Sequence, residues 1–174
     1  MGRVISIKCQ CEDRSLMLGV GMGYPRTYQE ALNDIRIGKY GEEMKRLANE
    51  TELVTVDASY RAYCCDGCGH IESKLCFDLY KPNDIESAKK TVVVRQTVDE
   101  SKVDKTVEEF GEWPLWWPGL FKNGGDYVLL KRYEHTCPIC KNVMDLIDVD
   151  TIEDMKCPKC GETYKYDGET AMWD

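Results

Sequence analysis

Two short turns near the end of the chain, Cys137-Pro-Ile-Cys140 and Cys157-Pro-Lys-Cys160-Gly161, hold the residues best suited to chemistry. A Cys-x-x-Cys turn presents two sulfurs on one side of a tight loop, and two such turns complete a tetrahedron of thiolates around a metal ion. The 16 residues between Cys140 and Cys157 suffice for a strand, a turn and a strand. The spacing therefore predicts that Cys137, Cys140, Cys157 and Cys160 form one closed, structural zinc site. Iron accepts the same four ligands in the same geometry and stays open as the metal.

A second site is expected from Cys9-Gln-Cys11 and Cys65-Asp-Gly-Cys68-Gly69. The first pair is one residue shorter than usual and gives a tighter bite on the metal. Cys64, Cys76 or His70 are alternative ligands there. Cys76 lies in an alternating apolar segment and reads as a small buried hydrophobe. His70 and His135 read as surface residues. A thiol redox centre needs its Cys-x-x-Cys at a helix start after a strand. Neither C-terminal turn is followed by a helical pattern, which disfavours that chemistry.

The elements that must position these turns are short. Val4 to Cys9 and Leu16 to Val20 alternate as two strands of a hairpin around Cys9 and Cys11. Thr27-Tyr-Gln-Glu30 has the form of a capping box, and Tyr28, Ala31, Leu32 and Ile35 recur at helical spacing up to a C-cap at Gly38. A second helical run covers Glu42 to Asn49. Residues 53–63 and 72–80 read as strands flanking the Cys65 turn, and Tyr127 to Tyr133 as a strand entering the C-terminal ribbon. The expected fold is α+β: two small β zinc ribbons, the N-terminal one split by a helical insertion. The expected domains are 1–84, with the insertion at about 27–50, a connecting segment at 85–126 and the C-terminal ribbon at 127–174.

Composition narrows the function. The 174 residues carry a net charge of −8, and each tetrathiolate site adds about two negative charges. Such a chain gains no general attraction to phosphates, which disfavours nucleic acid. A basic strip at Lys122, Lys131, Arg132, Lys141, Lys156, Lys159 and Lys165 would be the local exception. No apolar run approaches the roughly 20 residues of a membrane span, and no signal peptide is evident at Met1 to Lys8. A cytoplasmic protein is expected, in which unpaired cysteines serve metal rather than disulfides.

Gly19-Val-Gly-Met-Gly23 lacks the spacing of a nucleotide loop, and no catalytic constellation emerges. Asp148, Asp150, Glu153 and Asp154 read as a solvated hairpin tip. Trp113, Trp116 and Trp117 are read as filling between ribbons, with an exposed docking surface as the rival. A non-enzymatic protein-interaction or adaptor module follows, with an unidentified protein partner and no membrane. Nucleic-acid binding is the alternative, and a rubredoxin-like metal protein the third reading.

Gly19-Val-Gly-Met-Gly-Tyr24, Gly38-Lys-Tyr-Gly-Glu42, Cys65-Asp-Gly-Cys68-Gly69 and the paired Cys-Pro-x-Cys turns together carry a resemblance. The chain resembles an uncharacterised family of small bacterial zinc-ribbon proteins over most of its length, except residues 85–125. The resemblance implies metal binding and brings no activity with it. Its members ordinarily begin with Cys-x-x-Cys, where this chain has Cys9-Gln-Cys11.

Overall fold

A computed structural model describes residues 2–13, 15–21, 25–86, 88 and 127–173. The tryptophan-rich stretch, Lys122 and residues 22–24 of the glycine motif lie outside them, as does the Thr27 side chain. The architecture is mixed α+β with antiparallel sheets. No helix among the described residues is long and apolar enough to cross a membrane.

The chain divides into two compact units, each assembled from separate segments. The first takes residues 1–23, 59–76 and 134–174. Its sheet contains β1 (Gly2–Lys8), β2 (Leu16–Gly21), β4 (Tyr60–Cys64), β5 (Ile71–Leu75) and β9 (Lys165–Trp173) in the order β5-β4-β2-β1-β9. β8 (Asp145–Ile147) pairs with β4 beside this path. The expected hairpin of β1 and β2 forms, with Ile7 opposite Leu16. Alternation then sends Ile5, Ile7, Leu18 and Val20 to one face, where they bury against Ala62, Ile71 and Ile152.

Two expectations fail within this unit. The Cys140–Cys157 segment is not strand, turn and strand: β8 leads into a 3-10 helix, Val149–Asp154. Asp148 caps that helix by accepting from the Asp150 amide at 3.0 Å. The acidic cluster is thus no idle tip, since Asp150 also pairs with Arg3 at 2.9 Å and Glu153 accepts from the Tyr166 amide at 3.0 Å. His135 is buried, 5% exposed, with its ring 4.5 Å from that of Tyr63. Burial against an aromatic outweighs its polar tip.

The second unit comprises residues 24–58 and 77–133. It holds α1 (Pro25–Arg36), α2 (Glu42–Glu50) and a sheet of β3 (Thr55–Asp57), β6 (Asp78–Pro82) and β7 (Tyr127–Lys131), ordered β3-β6-β7. α1 starts at Pro25, not after Thr27: proline's fixed φ suits a first helical position, which leaves Thr27 inside the helix. Tyr28, Ala31, Leu32 and Ile35 are all buried, as their spacing requires. The strand expected across 72–80 is broken at Phe77, whose φ of 60° stops the extended run, so β5 and β6 enter different sheets.

Candidate metal centres

Each cysteine turn is placed by the strand beside it. β4 ends at Cys64 and runs straight into the Cys65 turn, and β5 leaves it at Ile71. β8 lies alongside β4 with Asp145 opposite Cys64, so the preceding Cys137–Cys140 turn falls beside Cys65 and Cys68. β9 pairs with β1 with Lys165 opposite Lys8, which sets the Cys157–Cys160 turn beside Cys9 and Cys11.

Two cysteine tetrads result, each with all four sulfurs within 4.8 Å of one another. One is Cys9, Cys11, Cys157 and Cys160; the other is Cys65, Cys68, Cys137 and Cys140. The two C-terminal turns do not form one site together, and the Cys9 and Cys65 turns do not form the other. The partners are exchanged, and the sites are nested: the first and last turns of the chain share one, the middle two the other.

The Sγ atoms of Cys9 and Cys160 are 3.3 Å apart, and those of Cys11 and Cys157 are 3.7 Å apart. In the inner tetrad Cys65 and Cys140 are 3.3 Å apart and Cys68 and Cys137 3.6 Å. A disulfide bond measures about 2.05 Å, so these are separate thiols. Tetrahedral zinc with bonds of about 2.3 Å sets its sulfurs about 3.8 Å apart. The donor set and spacing therefore fit a four-coordinate ion, and both tetrads could hold one.

Three of the turns repeat one backbone pattern. The first cysteine's amide donates to the carbonyl five residues on: Cys65 to His70, Cys137 to Asn142 and Cys157 to Glu162, at 2.9, 2.8 and 2.7 Å. The amide four residues on returns to the first cysteine's carbonyl, from Gly69, Lys141 and Gly161 at 2.6, 3.0 and 2.8 Å. This closure demands a positive φ at that residue, which is 69°, 65° and 77° in turn. The Cys9 turn closes one residue earlier, with the Glu12 amide on the Cys9 carbonyl at 3.2 Å. The shorter Cys-x-Cys spacing still delivers both sulfurs. In every turn the first cysteine is buried and the second exposed.

Lys141 occupies a left-handed position that costs a residue with Cβ about 1–2 kcal/mol. Its ammonium donates to the Pro138 carbonyl at 2.9 Å, an exposed bond that offsets only part of this. Lys141→Gly is expected to stabilise the metal-loaded protein by about 0.5–1 kcal/mol, read as a higher midpoint of thermal unfolding.

The thiols of a tetrad differ in their hold on protons. Cys157 is lowered to about 6, first by the Lys159 amide and against the opposing effect of burial, with the Cys160 amide and the Cys9 and Cys11 sulfurs assisting. At Cys137 burial pushes upward, but the Cys140 and Ile139 amides and the Cys68 and Cys65 sulfurs prevail and bring it to about 6. Cys11 is raised, first by the Cys9 and Cys160 sulfurs and then by burial. Cys68 rises to about 12 although the His70 amide works the other way, because burial and the sulfurs of Cys137, Cys140 and Cys65 outweigh it. Crowded thiols share few negative charges until a cation joins them. Burial and a hydrogen bond to the Cys157 sulfur also push up the Tyr164 hydroxyl.

The alternative ligands fall outside both tetrads. Cys76 is 1% exposed, as expected of a small hydrophobe, and its amide donates to the Ser59 carbonyl at 2.9 Å. Cys64 packs half-buried against the core of the first unit. His70 lies 3.5 Å from the Glu72 carboxylate. Of the proposed basic strip, Lys131 pairs with Glu43 at 3.0 Å, Arg132 with Asp78 at 3.3 Å, and Lys159 with Glu12. Lys131 and Arg132 belong to the second unit, and Lys141, Lys156, Lys159 and Lys165 to the first.

No family model, curated protein or solved structure matches the chain. The resemblance to a zinc-ribbon family therefore rests on the cysteine turns and short glycine motifs alone.

Proposed function

We propose that the chain binds two zinc ions, one in each tetrad, and that these ions are structural supports of a protein-interaction or adaptor module in a reducing compartment. The observation that carries the reading is the pair of four-sulfur clusters, whose spacing suits a tetrahedral ion. The sites are closed, with four protein ligands each and none left for substrate, which suits a structural ion; zinc is the metal proposed, and iron is the alternative that the same thiolates accept. All ten cysteines are free thiols, in keeping with such a compartment.

The interaction role is supported by apolar side chains left in solvent around the Cys137 turn. Ile139 is 66% exposed and Val143 51%. Net charge of −8, made more negative by the loaded sites, and ion-paired basic residues weigh against nucleic acid as the partner.

Elemental analysis of the purified protein, with a count of reactive thiols before and after denaturation, tests the reading. Two zinc per chain are expected, with the eight tetrad thiols protected until the protein is denatured in chelator. Iron in their place would assign electron transfer instead, and a metal-free protein with reactive thiols would overturn the proposal.

A further inference from the structure

The two tetrads of the first unit are packed onto each other. Gly69, which closes the Cys65 turn, lies against Pro158 of the Cys157 turn so closely that a Cβ on Gly69 would stand 2.7 Å from the proline Cβ and overlap its ring. Cys68 and Gly69 from one site and Cys157 and Pro158 from the other border a single hollow of about 240 Å³. Beyond this, among the described residues the backbone ties the two halves of the sheet through a single pair, Gly21 opposite Tyr60. What joins them is side-chain packing: Ile5, Ile7, Leu18 and Val20 from the outer site's strands share a core with Ala62 and Ile71 from the inner site's strands.

We propose that the two sites load cooperatively, metal at either raising the affinity of the other, with the Gly69–Pro158 contact as a coupling element. The inference rests on the reading that both tetrads bind zinc. Two physical terms support it. The first is chain entropy: the outer site joins residues 146 apart and the inner site residues 69 apart within that span. Closing the inner link shortens the outer loop by about half, worth roughly threefold in affinity. The second is packing: an ordered turn at one site is the surface on which the other site's turn must settle. A ligand that orders this shared core lowers the ordering cost left for the next, and linkage makes the effect mutual. Together these should exceed tenfold.

The test is competition for zinc against a chelator of known affinity, using the full chain under reducing conditions. Cys9→Ala/Cys157→Ala leaves the inner site alone, and Cys65→Ala/Cys137→Ala leaves the outer. The product of the two affinities in the intact protein is expected to exceed the product of the two single-site affinities by at least tenfold. A single-site variant that takes up no zinc would be the extreme form of the same coupling where Cys137→Ala/Cys157→Ala, which breaks both tetrads, also takes up none; one zinc retained by that variant would overturn the pairing of sites on which the coupling is argued. Equality of the products would overturn it, with two zinc still bound and the metal reading intact; an intact protein that binds no zinc would overturn that reading itself. Pro158→Ala keeps all eight ligands and should bind two zinc with the excess reduced toward threefold. An undiminished excess would remove the contact from the mechanism.

Discussion

Chelation of the metals is expected to unfold the first unit outright. Each proposed ion would cross-link chain segments that otherwise meet through the pairing of β1 with β9 and of β8 with β4: the outer site spans 146 residues and the inner 69. Treating each as a cross-link that closes a loop of that length gives about 4–5 kcal/mol apiece. A domain's whole stability is about 5–15 kcal/mol, so loss of both links removes most or all of it. Among the described residues, the cluster shared by β1, β2, β4, β5 and the 3-10 helix holds seven buried side chains, a modest core to fall back on. Circular dichroism and intrinsic fluorescence during titration with a strong chelator should show loss of tertiary structure, restored by zinc under reducing conditions. Retention of the native spectrum with all eight thiols reactive would sink the structural role.

Acid should act in the same direction, and the sign follows from the thiols. Metal binding requires thiolates, so protons compete with the ion. Cys137 and Cys157 are lowered to about 6 and are ionised at neutral pH, ready to bind. As pH falls through about 6 they take up protons as well. Each site must then release one more proton on loading, and its affinity drops by a further power of ten per pH unit. A metal-release curve that steepens below about pH 6 is the expected result.

The local chemistry was legible in the sequence because it is set by a few neighbouring residues. Gly69 and Gly161 mark the positive-φ closure of their turns, and the same hydrogen bonds recur around Lys141. The periodicity of Tyr28, Ala31, Leu32 and Ile35 names the buried face of α1. What was not legible is which turns meet. Nearness in sequence favours joining Cys140 to Cys157, since a short loop closes at least entropic cost. The sheet overrides this. β1 pairs with β9 along the edge that β2 leaves free, and β8 pairs with β4. Those long-range pairings rest on core complementarity among Ile5, Ile7, Leu18, Ala62 and Ile71, which no local pattern displays. The 3-10 helix is a related case. With Ile152 buried in the core, the linker from Cys140 to Cys157 carries the chain from one site to the other and does not fold back as a hairpin.

Paired substitutions are expected to separate the nested arrangement from the sequential one. Cys9 and Cys157 serve one tetrad, so Cys9→Ala/Cys157→Ala should lose one zinc and keep the other at saturating metal. The second substitution then adds little to the destabilisation of the first, because the ion is already gone. Cys137 and Cys157 serve different tetrads, so Cys137→Ala/Cys157→Ala should strip both ions and cost about 9 kcal/mol in lost cross-links, enough to leave the first unit unfolded. A sequential ribbon predicts the reverse for both pairs: the Cys137/Cys157 variant would keep one zinc and the Cys9/Cys157 variant none. Zinc content at saturation reads the difference directly, as one ion per chain against zero. The comparison needs no assumption about partner or activity, because it asks only which cysteines share an ion.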